Sequence, residues 1–534
     1  MTTAPERPAG LDGTVRLRTL ETRAEPEAAP AKRTVRQWVE AKRAALAVDP
    51  DRPVRPGPRG WSGRGGGRAE LIDAPDEWRG TTVQVCGLWP FSAGSGSPMT
   101  GVPLGQNTQT GDTVCGDPIS WFQRGALISN PSMFLLGLPG LGKSTLIRRM
   151  ALGLTGFGVI PLILADLKPD YVDLIQALGG QVITVGRGRG GINVLDPGES
   201  AEIAARLTGS RRKEVEADAQ SRRVEMVKAL LTIVRKQPIR VQESNILGRA
   251  IQMVSDRADE GAPPVLPDLL QLIKDAPDDL RLVAIDRGDI NRYQDATVDL
   301  ESGLLAMMRP EGPVSDIFSK PTTVQLRRDR PAVYDVHSIR DGERDLQAAA
   351  LLACWSNGFA SVNNSQILAD AGLEPRRNYF IVLDELWRAL RSGPEMVDRV
   401  DGLTRLNRSE GVGQAMCSHT MTDMMSLATE AERMKAAGFV ERSGMVVMAG
   451  LPLREMPLLS GAGVQLSDAE QLMVTGWSTP PSFDPKLGRE ADPPGRGRFL
   501  IKVGTRPGIP VRVALTDAEK GIHNTDKRWA KTTA

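Results

Sequence analysis

Residues 134–150 read FLLGLPGLGKSTLIRRM. An apolar run enters a glycine turn, and Lys-Ser-Thr opens the helix that follows. Gly137, Gly142, Lys143 and Ser144 have the spacing G-x-x-x-x-G-K-[ST]. Glycines at these positions let the backbone turn tightly and aim its amides at a β-phosphate, while the helix N-terminus adds positive potential. The expected nucleotide contacts are Gly137, Gly140, Leu141, Gly142, Lys143, Ser144 and Thr145. Lys143 would reach the β and γ oxygens, Ser144 would ligate Mg²⁺, and Thr145 would approach the α-phosphate. Pro139 has no amide to offer, but it stands before the stretch that wraps the phosphates. ATP and Mg²⁺ are therefore the expected ligands.

Hydrolysis needs a carboxylate for the metal and a base for the water. YFIVLDELWRAL, residues 379–390, supplies both. Its five leading apolar residues predict a buried strand, which presents Asp384 and Glu385 at the edge where open α/β sheets hold ligands. Asp384 would hold Mg²⁺ through water, and Glu385 would polarise the nucleophilic water. Taken alone, the pair reads equally as acidic residues favouring a helix N-terminus. The phosphate loop tips it to catalysis.

GQAMCSHT (413–420) predicts a strand beside both motifs, ending near the γ-phosphate with Ser418 and His419 as polar sensors. A lone histidine is otherwise more often a hydrogen-bonded structural residue. Upstream, LTRLNRSEGVG (403–413) places Arg405 and Arg408 three apart beside a glycine turn. They are either a solvated face or arginine fingers for a neighbouring subunit's γ-phosphate.

Around these motifs the pattern is that of a mainly parallel α/β sheet. Helix 143–154 is followed by the apolar strand 159–166, a helix in 171–180 and the strand 181–187. From about 199 the spacing turns helical: Val224, Val227, Leu231 and Val234 share a face. Strands return at 332–339, 379–385, 413–420 and 444–452, and RFLIKVGTRPGIPVRVAL (498–515) predicts a hairpin. Short strands are expected in 81–91, 101–118 and 121–137. The organisation is then a disordered Pro/Gly/Arg-rich leader (1–75, with one short amphipathic helix at 33–47), a first ATPase part (76–198), an all-α insertion (199–325), a second ATPase part (326–516) and a basic tail (517–534).

Composition narrows the partners. With 67 basic and 65 acidic residues, the net charge of +2 draws the chain neither to nucleic acid nor to an anionic membrane, so any DNA contact must be local. Arg211-Arg212-Lys213 and Arg222-Arg223 are the basic clusters to consider. Four scattered cysteines without a CxxC pair predict a reduced, cytosolic chain without structural zinc. No run of about 18 apolar residues predicts a span.

The ordered run GLPGLGKST … ADLKPDYVDLIQALGGQVITVG … INVLDP … NYFIVLDELW … LNRSEGVGQAMCSH resembles the traffic ATPases of conjugative type IV secretion systems, the VirB-type class of the HerA/FtsK superfamily. Asp166, Lys168, Asp170, Tyr171, Gly179, Gly180, Ile192, Asn193 and Asp196 fit its pattern. The resemblance covers about residues 80–515. It implies a RecA-like motor with a helical insertion between the third strand and the Asp384 strand, working as a homo-oligomer, a hexamer, at the inner face of the cell membrane with type IV secretion components. Members carry Gln where this chain has His419, and most have a large N-terminal docking domain, so docking is expected to come from a separate polypeptide. A DNA-translocating motor of the FtsK or coupling-protein kind is the alternative, and a nucleotide-gated assembly scaffold the second. Nucleic acid is thus a possible partner that the sequence does not demonstrate.

Overall fold

The computed structural model describes residues 96–257, 262–391, 396–404, 411–481, 483–484, 489–490 and 492–522. The readings over 33–47 and 81–91, and those of Arg405 and Arg408, fall outside these residues.

The described residues form thirteen strands: β1 (Pro103–Asn107), β2 (Thr113–Cys115), β3 (Ser132–Leu136), β4 (Ile160–Asp166), β5 (Gln181–Thr184), β6 (Ala332–Asp335), β7 (Tyr379–Leu383), β8 (Val412–Cys417), β9 (Met445–Met448), β10 (Phe483–Asp484), β11 (Arg489–Glu490), β12 (Arg498–Lys502) and β13 (Ile509–Val513). Eleven form one sheet in the order β2-β1-β13-β12-β9-β3-β8-β7-β4-β6-β5, and β10 pairs with β11 alone. From β9 to β5 every pairing is parallel, whereas β12, β13, β1 and β2 extend the sheet antiparallel. Strands β3, β7, β8 and β9 are buried at every residue; β7 and β9 read as unbroken apolar runs, whereas β8 also buries Gln414 and β3 opens on the buried Ser132.

Alternation along each strand divides the core. Phe134 and Leu136 face one side, with the insertion helices and helix Arg344–Asp370. Met133 and Leu135 face the other, with Ile147 and Met150 of the phosphate-loop helix Lys143–Gly156. Strand β8 lies between β3 and β7, with Ala415 opposite both Met133 and Val382. The two nucleotide motifs therefore end on one edge, one strand apart, with His419 just beyond the end of β8.

Between β5 and β6 run the helices Ser200–Arg206, Gly209–Arg235, Val241–Asp256, Leu266–Lys274, Asp278–Ala284 and Ile290–Met308. Their apolar residues, Val227, Leu231 and Leu304 among them, join the core over that face of the sheet, so these helices pack on the sheet.

Two local readings are corrected and one element is added. Pro118–Gln123, expected in part as strand, is a helix: the Asp117 side chain accepts from Ser120 N–H at 2.7 Å, and Pro118 sits in the first turn. Strand β5 stops at Thr184, because Gly186 pairs back with Gly190 in a turn. The 27-residue helix Arg344–Asp370 is new. Leu346, Leu351, Cys354, Trp355 and Val362, from several sides of it, are all buried, so it shows no one-sided apolar stripe.

An ion network ties the insertion to the sheet. Arg328 contacts Glu199 at 2.8 Å and Glu374, which also meets Arg206 at 2.9 Å and Arg377 at 2.7 Å. The Arg328 guanidinium, first among these partners, lowers the Glu374 carboxyl to about 2. Arg328→Ala would leave the partly buried Glu199 carboxylate without its ion-pair partner and weaken the hold on Glu374, which keeps Arg206 and Arg377. We expect about 3 kcal/mol of destabilisation in denaturant unfolding. A loss below about 1 kcal/mol, the range of exposed pairs, would show that the network is replaceable.

Candidate functional site

The phosphate loop leaves β3 at Gly137, where a Cβ would lie 2.5 Å from that of Ala449 at the end of β9. Gly142 caps the helix with φ at +96°, a left-handed conformation that a side chain would strain. Leu141 is buried beneath the loop, and its carbonyl accepts from Gly497 N–H at 3.0 Å, so the turn before β12 braces the loop from outside the parallel strands. Gly140, Gly142, Lys143, Ser144 and Thr145 line a cleft of about 830 Å³, joined by Arg148, Asp166, Lys168, Asp170, Asp384, Glu385, Ser418, His419 and Arg496.

Lys143 folds back over the loop. Its ammonium donates to the carbonyls of Gly137 at 2.5 Å and Leu138 at 3.3 Å, and lies 3.1 Å from His419 Nδ1. Burial pulls its pKa down, while Asp384 and Glu385 oppose that shift. With an ammonium against Nδ1, the imidazole carries its proton on Nε2, which faces Glu385 Oε2 at 3.4 Å. Burial likewise lowers the His419 pKa, the Lys143 charge adding to it and Glu385 opposing, which favours the neutral ring. His419 thus joins the loop lysine to the acidic motif.

Glu385 leaves β7 in a left-handed conformation, φ +53°, that costs a non-glycine residue about 1 kcal/mol or more. Trp387 Nε1 donates to its Oε2 at 2.6 Å, Lys168 Nζ lies 3.6 Å from Oε1, and Arg388 Nε lies 3.8 Å from Oε2. Trp387 is itself covered by Arg388 and Arg391, at 4.9 and 5.0 Å from its ring centroid. Glu385 is only 8% exposed, so these contacts fix where its carboxylate stands.

Asp384 accepts from Glu385 N–H at 2.9 Å through Oδ1 and from the Tyr171 hydroxyl at 3.0 Å through Oδ2. Burial, reinforced by the Glu385 charge, raises its pKa to about 6. Burial likewise raises Asp166 to about 8, although Asp166 accepts the backbone N–H groups of Asp170 (3.2 Å) and Tyr171 (2.8 Å). Ser144 Oγ donates to Asp170 Oδ2 at 2.9 Å. Desolvated carboxylates beside a serine hydroxyl form an oxygen set that a divalent cation relieves. Among the described residues no group of three or more His, Cys, Asp or Glu forms a metal cage. Mg²⁺ takes one or two protein oxygens and completes its shell with phosphate and water.

The structure brings Lys143, Ser144, Asp384, Glu385 and His419 to one edge. Ser418 joins them with a buried hydroxyl that has no hydrogen-bond partner among the described residues. Sequence reasoning gave no role to Trp387, Arg496 or Arg148, whose guanidinium sits 5.8 Å from the Tyr171 centroid. The indole of Trp387 two residues after Glu385 was the available signal. Arg496 arrives on the antiparallel extension and had none.

No protein-family model matches this sequence, and neither does any curated protein. Among solved structures, VirB4 of Thermoanaerobacter pseudethanolicus superposes with a TM-score of 0.58 at 18% identity, over 80% of this chain and 100% of that one. The bacterial conjugative coupling protein TrwBΔN70 gives 0.43 at 13% identity, over 72% and 85%. At 18% identity the VirB4 likeness is one of fold, and it establishes the mixed α/β architecture around the phosphate loop. Among the described residues no helix is long and apolar enough to cross a membrane.

Proposed function

We propose that this chain is an ATP-hydrolysing motor that energises conjugative transfer or type IV secretion from the cytoplasmic face of a membrane. The observation that carries the reading is the Lys143–His419–Glu385 bridge, which links the phosphate loop to the carboxylate of the acidic motif. The VirB4-like fold supports the choice of motor.

In this reading the loop amides and Lys143 bind the β- and γ-phosphates, and Lys143 exchanges its contacts with Gly137, Leu138 and His419 for phosphate oxygens. Ser144 and Asp384 would hold Mg²⁺, whose charge would offset that of the β and γ oxygens. Glu385 orients the attacking water and takes its proton. His419 and Ser418 register the γ-phosphate. Arg405 and Arg408 act as fingers on the neighbouring subunit's nucleotide within a homo-hexamer.

The basic clusters do not favour a DNA track. Arg212 pairs with Glu216 at 2.8 Å, Arg222 with Asp218 at 3.1 Å, and Arg223 donates to Ser255 and Gln220. The test is the ATPase rate of the purified protein with single- and double-stranded DNA over a salt series. We expect hydrolysis that DNA leaves unchanged. Strong, salt-sensitive stimulation by DNA would replace the secretion motor with a DNA pump, and binding without turnover would leave only a scaffold. In the same assay, normal turnover in both Arg405→Ala and Arg408→Ala would remove the finger assignment.

A further inference from the structure

A serine that ligates a metal has one proton to give away, and the acceptor of that proton decides where its lone pairs point. Asp384 does not accept it here. Both of its oxygens already receive a hydrogen bond, Oδ1 from Glu385 N–H and Oδ2 from the Tyr171 hydroxyl. The Ser144 proton goes instead to Asp170 Oδ2, at 2.9 Å.

We propose that Asp170 is a positioning residue for magnesium: it aims the Ser144 hydroxyl and adds a second carboxylate charge behind the metal. The proposal rests on the nucleotide-hydrolysing reading above. Asp170 is not a wandering surface side chain. Its backbone N–H is held by one oxygen of Asp166 and that of Tyr171 by the other, and Asp166 is 2% exposed. Tyr171 is fully buried, with its ring under Arg148 and its hydroxyl on Asp384. The turn from Asp166 to Tyr171 is thus a bracket that spans from the phosphate-loop helix to the end of β7 and holds the Asp170 carboxylate over Ser144.

A carboxylate in this place has a sign that a purely structural residue lacks. It repels a bare polyphosphate and favours one that arrives with a divalent cation. The test is calorimetric titration of the full chain with ADP and a non-hydrolysable ATP analogue, in Mg²⁺ and in EDTA. Asp170→Asn is expected to reduce the gain in affinity conferred by Mg²⁺ by about 10- to 100-fold, the usual cost of losing a residue behind a metal ligand. In EDTA its affinity should equal or exceed that of the unmodified chain. Should Asp170→Asn fail to fold, Asp170→Ser carries the same expectation. Equal losses in Mg²⁺ and EDTA would reduce Asp170 to a structural residue, and an unchanged gain would remove it from the metal site. Either result would overturn the proposal while leaving nucleotide binding in place. An unmodified chain that binds no nucleotide would instead defeat the underlying reading, and the proposal with it.

Discussion

Glu385→Gln is expected to bind ATP normally and to lose turnover by about 10²- to 10⁴-fold, the contribution of a placed general base. The amide is nearly isosteric, and its oxygen still accepts from Trp387 Nε1, 2.6 Å away in the native chain, and from His419 Nε2. The left-handed backbone at Glu385 is therefore held by the same contacts, and geometry changes little. What disappears is the capacity to take a proton. Lys168 and Arg388, at 3.6 and 3.8 Å, lose an anionic partner, but both keep access to solvent or other acceptors, so the site should not collapse. Turnover and equilibrium binding on the same preparation decide the matter. If turnover stays within about tenfold of the native rate, the base lies elsewhere. If binding falls in step with turnover, Glu385 is a structural anchor.

Which parts of this site were legible from residues alone follows from chain distance. The phosphate loop and the Asp384-Glu385 pair are each contiguous with a strand of largely apolar residues, and such runs announce a parallel sheet. The neighbour relation of β8 to both followed from placing sensors beside the motifs. Asp170 was visible only as a family-like position, since the crossover from β4 into helix Val172–Ala177, not any spacing rule, carries it to Ser144. Arg496 reaches the cleft because the antiparallel strand β12 pairs with β9, a contact between segments about 50 residues apart that no local pattern encodes. Helix Arg344–Asp370 escaped for the opposite reason. Its burial on several sides removes the amphipathic stripe that marks a helix, so its strong apolar content had no readable direction.

The lysine of the opening motif has the wider consequence. Lys143→Ala is expected to weaken ATP binding by about two to four orders of magnitude, from two charge-assisted hydrogen bonds worth about 1.5–3 kcal/mol each. The cleft makes the loss hard to absorb. Its lining offers Lys143, Arg148, Lys168 and Arg496 against Asp166, Asp170, Asp173, Asp384 and Glu385. Even with Asp166 raised to about 8, removing Lys143 leaves three cationic side chains facing four carboxylates where a polyphosphate must enter. The same substitution carries a second, independent readout. The Lys143 charge is among the causes that lower the His419 pKa, so its removal should raise that pKa toward the ordinary histidine range. It also takes away the ammonium that fixes the Nε2 tautomer. A ¹⁵N-detected titration of His419 in Lys143→Ala should show the upward shift without any nucleotide present. If the histidine titrates unchanged while binding is lost, Lys143 serves the phosphates alone. If both move, the loop lysine sets the charge of an imidazole that also faces Glu385, so occupancy of the phosphate loop is felt at His419 before any chemistry begins.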